Sequence, residues 1–163
     1  MQFVAVSGSK PLREEATEMV QVALPNDANP LGNVLGGRVM HWIDMVGAIV
    51  AFRHSRCPVV TASMERLDFR FPIQIGQIVQ LNGCLHYVGR TSMQVGVEIY
   101  AENPLTGKRI HTSSTVVTYV ALNSRGKPTR VPELLLETDE EKERFEAGRE
   151  RHRKRMEDNT GLP

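Results

Sequence analysis

The run "VMHWIDMVGAIVAF", Val39 to Phe52, constrains the fold more than any other stretch, because its apolar residues leave no broad polar side on a helix. Val39, Met40, Trp42, Ile43, Met45, Val46, Ala48, Ile49, Val50 and Phe52 go almost all the way round a 3.6-residue wheel instead of forming one stripe. Such a helix is covered on most sides. With Arg38, His41, Asp44 and Arg53 breaking the run, it is too short and too charged to span a bilayer, which takes about 20 apolar residues. It is a core helix, and the rest of the chain has to cover it. Gly36 and Gly37 stand at its start, where the lack of side chains lets another group approach the unbonded N–H donors of the first turn. That end is a ready anion site.

Downstream the hydrophobic period changes from 3.6 to 2. Leu67, Phe69 and Phe71 alternate with charged residues, Val79, Leu81, Gly83, Leu85 and Tyr87 alternate with polar ones, and Met93, Val95, Val97, Ile99 and Ala101 repeat the pattern. "NPLTGK" at Asn103–Lys108 supplies turn chemistry before a long β-branched run from Ile110 to Leu122, and Met19 to Leu24 supplies a first strand. Strand, buried helix, then four tightly joined strands is an α+β order that favours an antiparallel sheet packed on the helix. A length of 163 residues with 40% apolar content fits one such domain, spanning residues 16–135, after an N-terminal segment at 1–15.

Residues 136–163 differ in kind. "TDEEKERFEAGRERHRKRMEDN" opens with a capping box, Thr138 with Glu141, and runs from acidic to basic, as the helix dipole favours. With little to bury beyond Phe145 and Met156, it reads as a charge-laced, solvated helix. The cluster Arg149, Arg151, Arg153, Lys154 and Arg155 admits a second reading as a phosphate or nucleic-acid patch, but no stacking aromatics accompany it, and the net charge of +1 gives no global field for nucleic acid. Neither nucleic acid nor membrane is expected as a partner. Cys57 and Cys84 read as reduced core thiols, and the five histidines show no ligand spacing, so no metal is expected. The amino end has neither a basic region nor an apolar run long enough for a signal peptide, which points to the cytoplasm.

One carboxylate, Asp44, sits inside the buried helix. Two readings stay open on the residues alone. Arg38, His41 and Asp44 can form one narrow solvated seam. Alternatively, apolar surroundings strip solvation from the carboxylate and raise its basicity, which suits a general base acting on water, with Asn29 adding an amide that orients the water or the substrate.

At these residues the chain also resembles a known family. "PNDANPLGNVLGGRVMHWIDMVGAIVA", "TASMERLDFRFPIQIGQIV" and "GRTSMQVGVEIYAENPLTGK" resemble the hotdog-fold acyl-CoA thioesterases of the cytosolic acyl-CoA hydrolase type. The resemblance implies a curved antiparallel sheet wrapped around one long helix, and hydrolysis of fatty acyl-CoA to free fatty acid and CoA without a separate cofactor. It implies a catalytic pair drawn from two subunits, Asn29 of one and Asp44 of the other, hence a dimer at minimum and a trimer of dimers as the usual assembly. The backbone N–H at Gly37 would stabilise the oxyanion, while Leu35 stands where some relatives carry a histidine. Ala62, Ser63 and Met64 on one strand and Thr91, Ser92 and Met93 on another would line the CoA moiety, with Arg90 and Arg130 meeting phosphates. Arg90 also reads as an ordinary exposed turn residue. Asp44 would activate water or attack the thioester itself. Two other classes share the residues: a hotdog hydratase or dehydratase using His41 with Asp44, and a non-catalytic acyl-CoA-binding protein.

Overall fold

The computed structural model describes residues 12–13 and 16–160; the expected N-terminal segment therefore lies almost wholly outside the described residues. In chain order the elements are β1 (Leu12–Arg13), β2 (Thr17–Val22), a 3-10 turn (Pro25–Asp27), α1 (Gly36–Ser55), β3 (Val59–Met64), β4 (Ile78–Val88), β5 (Ser92–Glu102), β6 (Arg109–Ala121), β7 (Leu134–Leu135) and α2 (Asp139–Thr160). β1 and β7 form a short parallel pair. The other five strands make one antiparallel sheet in the order β2-β4-β5-β6-β3. This is the α+β arrangement that the resemblance implies.

Alternation decides which face α1 covers. Val79, Leu81 and Leu85 of β4, Met93, Val95, Val97 and Ile99 of β5, and Val117, Tyr119 and Ala121 of β6 are buried with Val39, Ile43, Val46 and Val50 of α1 in a single cluster. Burying each such aliphatic side chain contributes about 1.5–3 kcal/mol. Close approach depends on glycine at two points: a Cβ on Gly83 would stand 3.1 Å from Val50 Cγ2, and one on Gly47 only 2.3 Å from Tyr119 Oη. α1 ends where Arg56 takes a left-handed conformation (φ 53°) and Pro58 follows.

The cover on α1 is incomplete within one chain. Met45, Ile49 and Phe52, spaced by four and three residues, are exposed, as is Met40. The helix expected to be covered on most sides thus keeps one apolar strip open.

Three strand expectations shift. Leu67–Phe71 alternates but is not a strand; it has no regular secondary structure and meets β6 through the Arg70 N–H to Thr112 O bond at 3.0 Å. The strand after α1 is β3 instead, with Pro72 just beyond the alternating run. The first strand begins two residues early, at Thr17. In β4 the alternation breaks at a bulge between Leu85 and Tyr87, which turns Tyr87 outward onto α2, its ring 5.0 Å from that of Phe145. The turn at Asn103–Lys108 forms as expected, with Asn103 Oδ1 accepting the Leu105 and Thr106 N–H groups.

α2 is more than a solvated helix. Its capping box forms, the Glu141 N–H donating to Thr138 Oγ1 at 3.1 Å and the Thr138 N–H to Glu141 Oε2 at 3.0 Å, but its last turn carries no basic residue. One face docks on the outer surface of the sheet. There Gln94 Nε2 donates to the Gly148 carbonyl at 3.0 Å, and a Cβ on Gly148 would meet Tyr87 Cβ at 2.4 Å. Cys57 is buried and Cys84 half-buried; neither forms a disulfide among the described residues, and Cys84 Sγ accepts from Arg144 Nη1 at 3.0 Å.

Candidate active site

The loop entering α1 is fixed by Asp27. Its carboxylate accepts the Leu24 N–H at 3.0 Å and the Arg38 Nε at 2.8 Å, and its carbonyl accepts the Leu35 N–H at 2.9 Å. Asp27 thereby ties the 3-10 turn to the first turn of α1. Removing it leaves the part-buried Leu24 N–H and a half-exposed guanidinium unmatched, so Asp27→Ala is expected to cost about 2 kcal/mol, read as a fall in Tm of about 4–8 °C.

On this loop Asn29 is half-buried, and its Oδ1 accepts the N–H groups of Leu31 (2.9 Å) and Asn33 (3.2 Å). The acceptor end is consumed by the turn. Among the described residues the Nδ2 end has no partner, so what Asn29 offers is a donor. At the helix start the Gly36 and Gly37 N–H groups find no backbone acceptor among the described residues, and Leu35 provides no side-chain cap. A Cβ on Gly36 would touch the Phe69 ring at 3.4 Å, whereas the space above Gly37 is open.

Two turns along α1, Asp44 is half-buried and held by hydroxyls. Thr61 Oγ1 donates to Asp44 Oδ1 at 2.6 Å, and Tyr119 Oη lies 3.0 Å from the Asp44 carbonyl and 3.3 Å from Oδ1. Tyr119 is fully buried; burial first, and the neighbouring carboxylate second, push its phenol above the usual range, so it remains a donor at neutral pH. Within one chain Arg38 and Asp44 are half-buried and His41 is exposed; Arg38 pairs with Asp27, and among the described residues no bond joins His41 to Asp44. The carboxylate is not enclosed by hydrocarbon within one chain, and two hydroxyls fix its orientation.

β3 separates this point from a second one. A bulge between Thr61 and Ser63 lets Thr61 pair with Tyr119, facing α1, while Ser63 pairs with Thr118, facing outward. Ala62, Ser63, Arg90, Thr91 and Ser92 then line one outer groove of about 530 Å³, together with Thr118, His152 and Arg155. The Arg90 turn is anchored at both residues: the Val131 N–H donates to Arg90 O at 3.1 Å and the Ala121 N–H to Thr91 O at 3.0 Å. Arg130 joins Arg90 in an adjoining cleft of about 490 Å³. Met64 and Met93 do not join them: Met64 packs against the core, and Met93 is fully buried in it, because the alternation that exposes Ser92 turns Met93 to α1. A larger cleft of about 760 Å³, lined by Cys84, His86 and Arg144, contains none of the predicted residues.

The roles of Thr61 and Tyr119 escape a reading of the sequence, and Arg155 enters it only as one member of a basic cluster that also admits a phosphate patch. A lone tyrosine in a β-branched strand is a usable signal, since a buried phenol needs a partner. Among the described residues no set of three His, Cys, Asp or Glu side chains is placed to hold a metal, and no helix is long and apolar enough to cross a membrane.

Comparison with known proteins agrees with this architecture. Residues 31–108 match the Thioesterase superfamily. The chain is 41% identical over 117 residues to an acyl-CoA thioester hydrolase of Bacillus subtilis, covering 72% of this chain and 68% of that protein. It is 36% identical over 138 residues to the cytosolic acyl coenzyme A thioester hydrolase of Rattus norvegicus, 83% of this chain but only 36% of the rat protein, so it spans about a third of that relative. A hexameric acyl-CoA thioesterase solved without ligand superposes with a TM-score of 0.83 at 36% identity, covering 91% of this chain and 94% of the other. An acyl-CoA hydrolase of Staphylococcus aureus, solved with butyryl coenzyme A and coenzyme A, gives 0.80 at 32% identity, with 89% and 88% covered. That protein has also been solved with an aspartate, an asparagine or a threonine replaced by alanine. The chain belongs to the hotdog acyl-CoA thioester hydrolases of the thioesterase superfamily.

Proposed function

We infer that this protein hydrolyses fatty acyl-CoA to free fatty acid and CoA, and acts in cytoplasmic fatty acid metabolism as a homo-oligomer. The observation that carries the reading is Asp44, a carboxylate in the middle of the central helix whose position is set by Thr61 and Tyr119. Asp44 takes the proton of a water that attacks the thioester carbonyl, and the tetrahedral oxyanion is met by the unbonded N–H at Gly37. Asn29 of the neighbouring subunit donates through Nδ2 to the water or the carbonyl oxygen, the role its consumed Oδ1 leaves open. Collapse of the intermediate breaks the C–S bond, the CoA sulfur takes back the proton held by Asp44 and leaves as a thiol, and no cofactor enters the scheme.

The assembly, a dimer at minimum and a trimer of dimers in full, is supported by the open apolar strip of Met45, Ile49 and Phe52 and by the hexameric relative. CoA is held in the outer groove, its phosphates at Arg90 and Arg130 and its pantetheine along Ala62, Ser63, Thr91 and Ser92. Arg90→Ala is then expected to raise KM for acyl-CoA about tenfold while kcat changes little, since the contact is remote from the reacting carbon. An unchanged KM removes Arg90 from the site.

The test is free-thiol release from acyl-CoAs of graded chain length. Binding without thiol release would favour a non-catalytic acyl-CoA-binding protein. A hydratase or dehydratase using His41 with Asp44 is tested with an enoyl-CoA; His41 is exposed and among the described residues no bond joins it to Asp44. Direct attack by Asp44 to form an anhydride is distinguished by single turnover in oxygen-18 water, where label in Asp44 demands the covalent route.

A further inference from the structure

We propose that α2 is part of the substrate site: Arg155, set into the outer groove by Ser63 and Thr118, supplies with Arg90 a two-guanidinium clamp for the phosphates of the CoA nucleotide. This rests on the acyl-CoA reading and adds to it a residue from outside the thioesterase core. Arg155 is half-buried, and its Nη1 donates to Ser63 Oγ at 2.8 Å and Thr118 Oγ1 at 2.7 Å, which hold the side chain against β3 and β6.

Charge balance singles this residue out. Arg149, Arg151, Arg153 and Lys154 each stand in an ion pair with a glutamate. Arg155 has no carboxylate partner among the described residues, and its neighbours are hydroxyls. A guanidinium restrained by two neutral acceptors keeps its remaining N–H groups and its full charge for an anion. The groove it lines also holds Arg90, Thr91 and Ser92, so two cations and several hydroxyls face one space of about 530 Å³ with no acidic residue in its lining. A phosphate ester fits that chemistry better than a carboxylate or a neutral ligand does. His152, which also lines the groove, stacks on Tyr87 with its ring 5.4 Å away; burial, and then Arg155, hold it below its usual range, so the positive charge at neutral pH comes from the arginines.

Docking of α2 is built to place Arg155. Gly148 admits the helix against Tyr87, and the Gln94 bond to the Gly148 carbonyl fixes it two turns ahead of Arg155. The basic cluster is therefore split in function, most of it neutralised on the helix itself and one member turned to the sheet.

The test compares Arg155→Gln, Arg155→Lys and, on the exposed side of the same helix, Arg153→Gln. Hydrolysis is measured with acyl-CoA and with the matching acyl-pantetheine, which lacks the nucleotide, and binding of free CoA by calorimetry. For Arg155→Gln the expected results are a rise of about tenfold in KM for acyl-CoA, a similar loss of CoA affinity, and no change with acyl-pantetheine. Arg155→Lys should recover most of the affinity, because charge rather than docking is at stake, and Arg153→Gln should behave as wild type. Equal losses with both substrates, or rescue by Gln but not Lys, would make Arg155 a structural pin and overturn the inference. If the wild type hydrolyses acyl-CoA and Arg155→Gln matches it, the inference fails and the thioesterase reading stands. If the wild type binds CoA without hydrolysis and Arg155→Gln loses that binding, the reading fails and the clamp stands. A wild type that neither binds nor hydrolyses removes both.

Discussion

Asp44→Asn should lower kcat for acyl-CoA hydrolysis by about 10²–10⁴-fold, the usual worth of a general base, and leave the fold intact. The substitution is close to isosteric and keeps an oxygen for Thr61 and Tyr119, which donate to Asp44 at 2.6 and 3.3 Å. What disappears is the capacity to take a proton or to attack a carbonyl, so the loss belongs to kcat rather than to substrate affinity. Thiol release by wild type and variant, with circular dichroism as the check on folding, reads both parts. A folded variant retaining wild-type kcat would make Asp44 structural.

Gly47→Ala should be the most damaging small change in α1. An added Cβ would lie 2.3 Å from Tyr119 Oη and 2.9 Å from ring carbons of the same side chain. Tyr119 is fully buried and bonded to Asp44, so its ring has no solvent to swing into. Overpacking of this kind costs about 1–3 kcal/mol, which for a chain of this size is a fall in Tm of about 2–12 °C, and shifting the phenol also disturbs Asp44. Urea denaturation and kcat should therefore fall together. Adding Tyr119→Phe removes the closest clashing atom, so the double variant should be more stable than Gly47→Ala alone; simple additivity would refute the packing argument. At Gly37, where a Cβ would meet nothing within 4 Å, the same exchange carries no such penalty.

How far these residues were legible from sequence depends on the range of the interaction. α1 and the alternating strands declare themselves because periodicity is local, and Asp44 stands out because it interrupts an apolar run. Its actual partners come from β3 and β6, 17 and 75 residues away along the chain, and no spacing rule connects them. Phe69 and Phe71 alternate as a strand would, yet that segment never joins the ladder, since alternation records two unlike faces and not hydrogen bonding. The resemblance puts Met93 in the CoA groove beside Ser92, but pleating sends Met93 to the core while Ser92 faces out. Arg155 lies hidden among like residues of a charged helix, and only docking distinguishes it.

The bulge at Ala62 has a geometric consequence. It hands Thr61 to one side of β3 and Ser63 to the other, and β3 is the last strand of the sheet. On the proposed reading, the molecule's anionic end and its reactive carbonyl occupy opposite sides of that rim. On that reading the substrate would straddle the sheet's border. On the same reading the rim acts as a caliper: a thioester on a short handle can seat its phosphate or its carbonyl, but only a long, thin, flexible spacer can seat both at once.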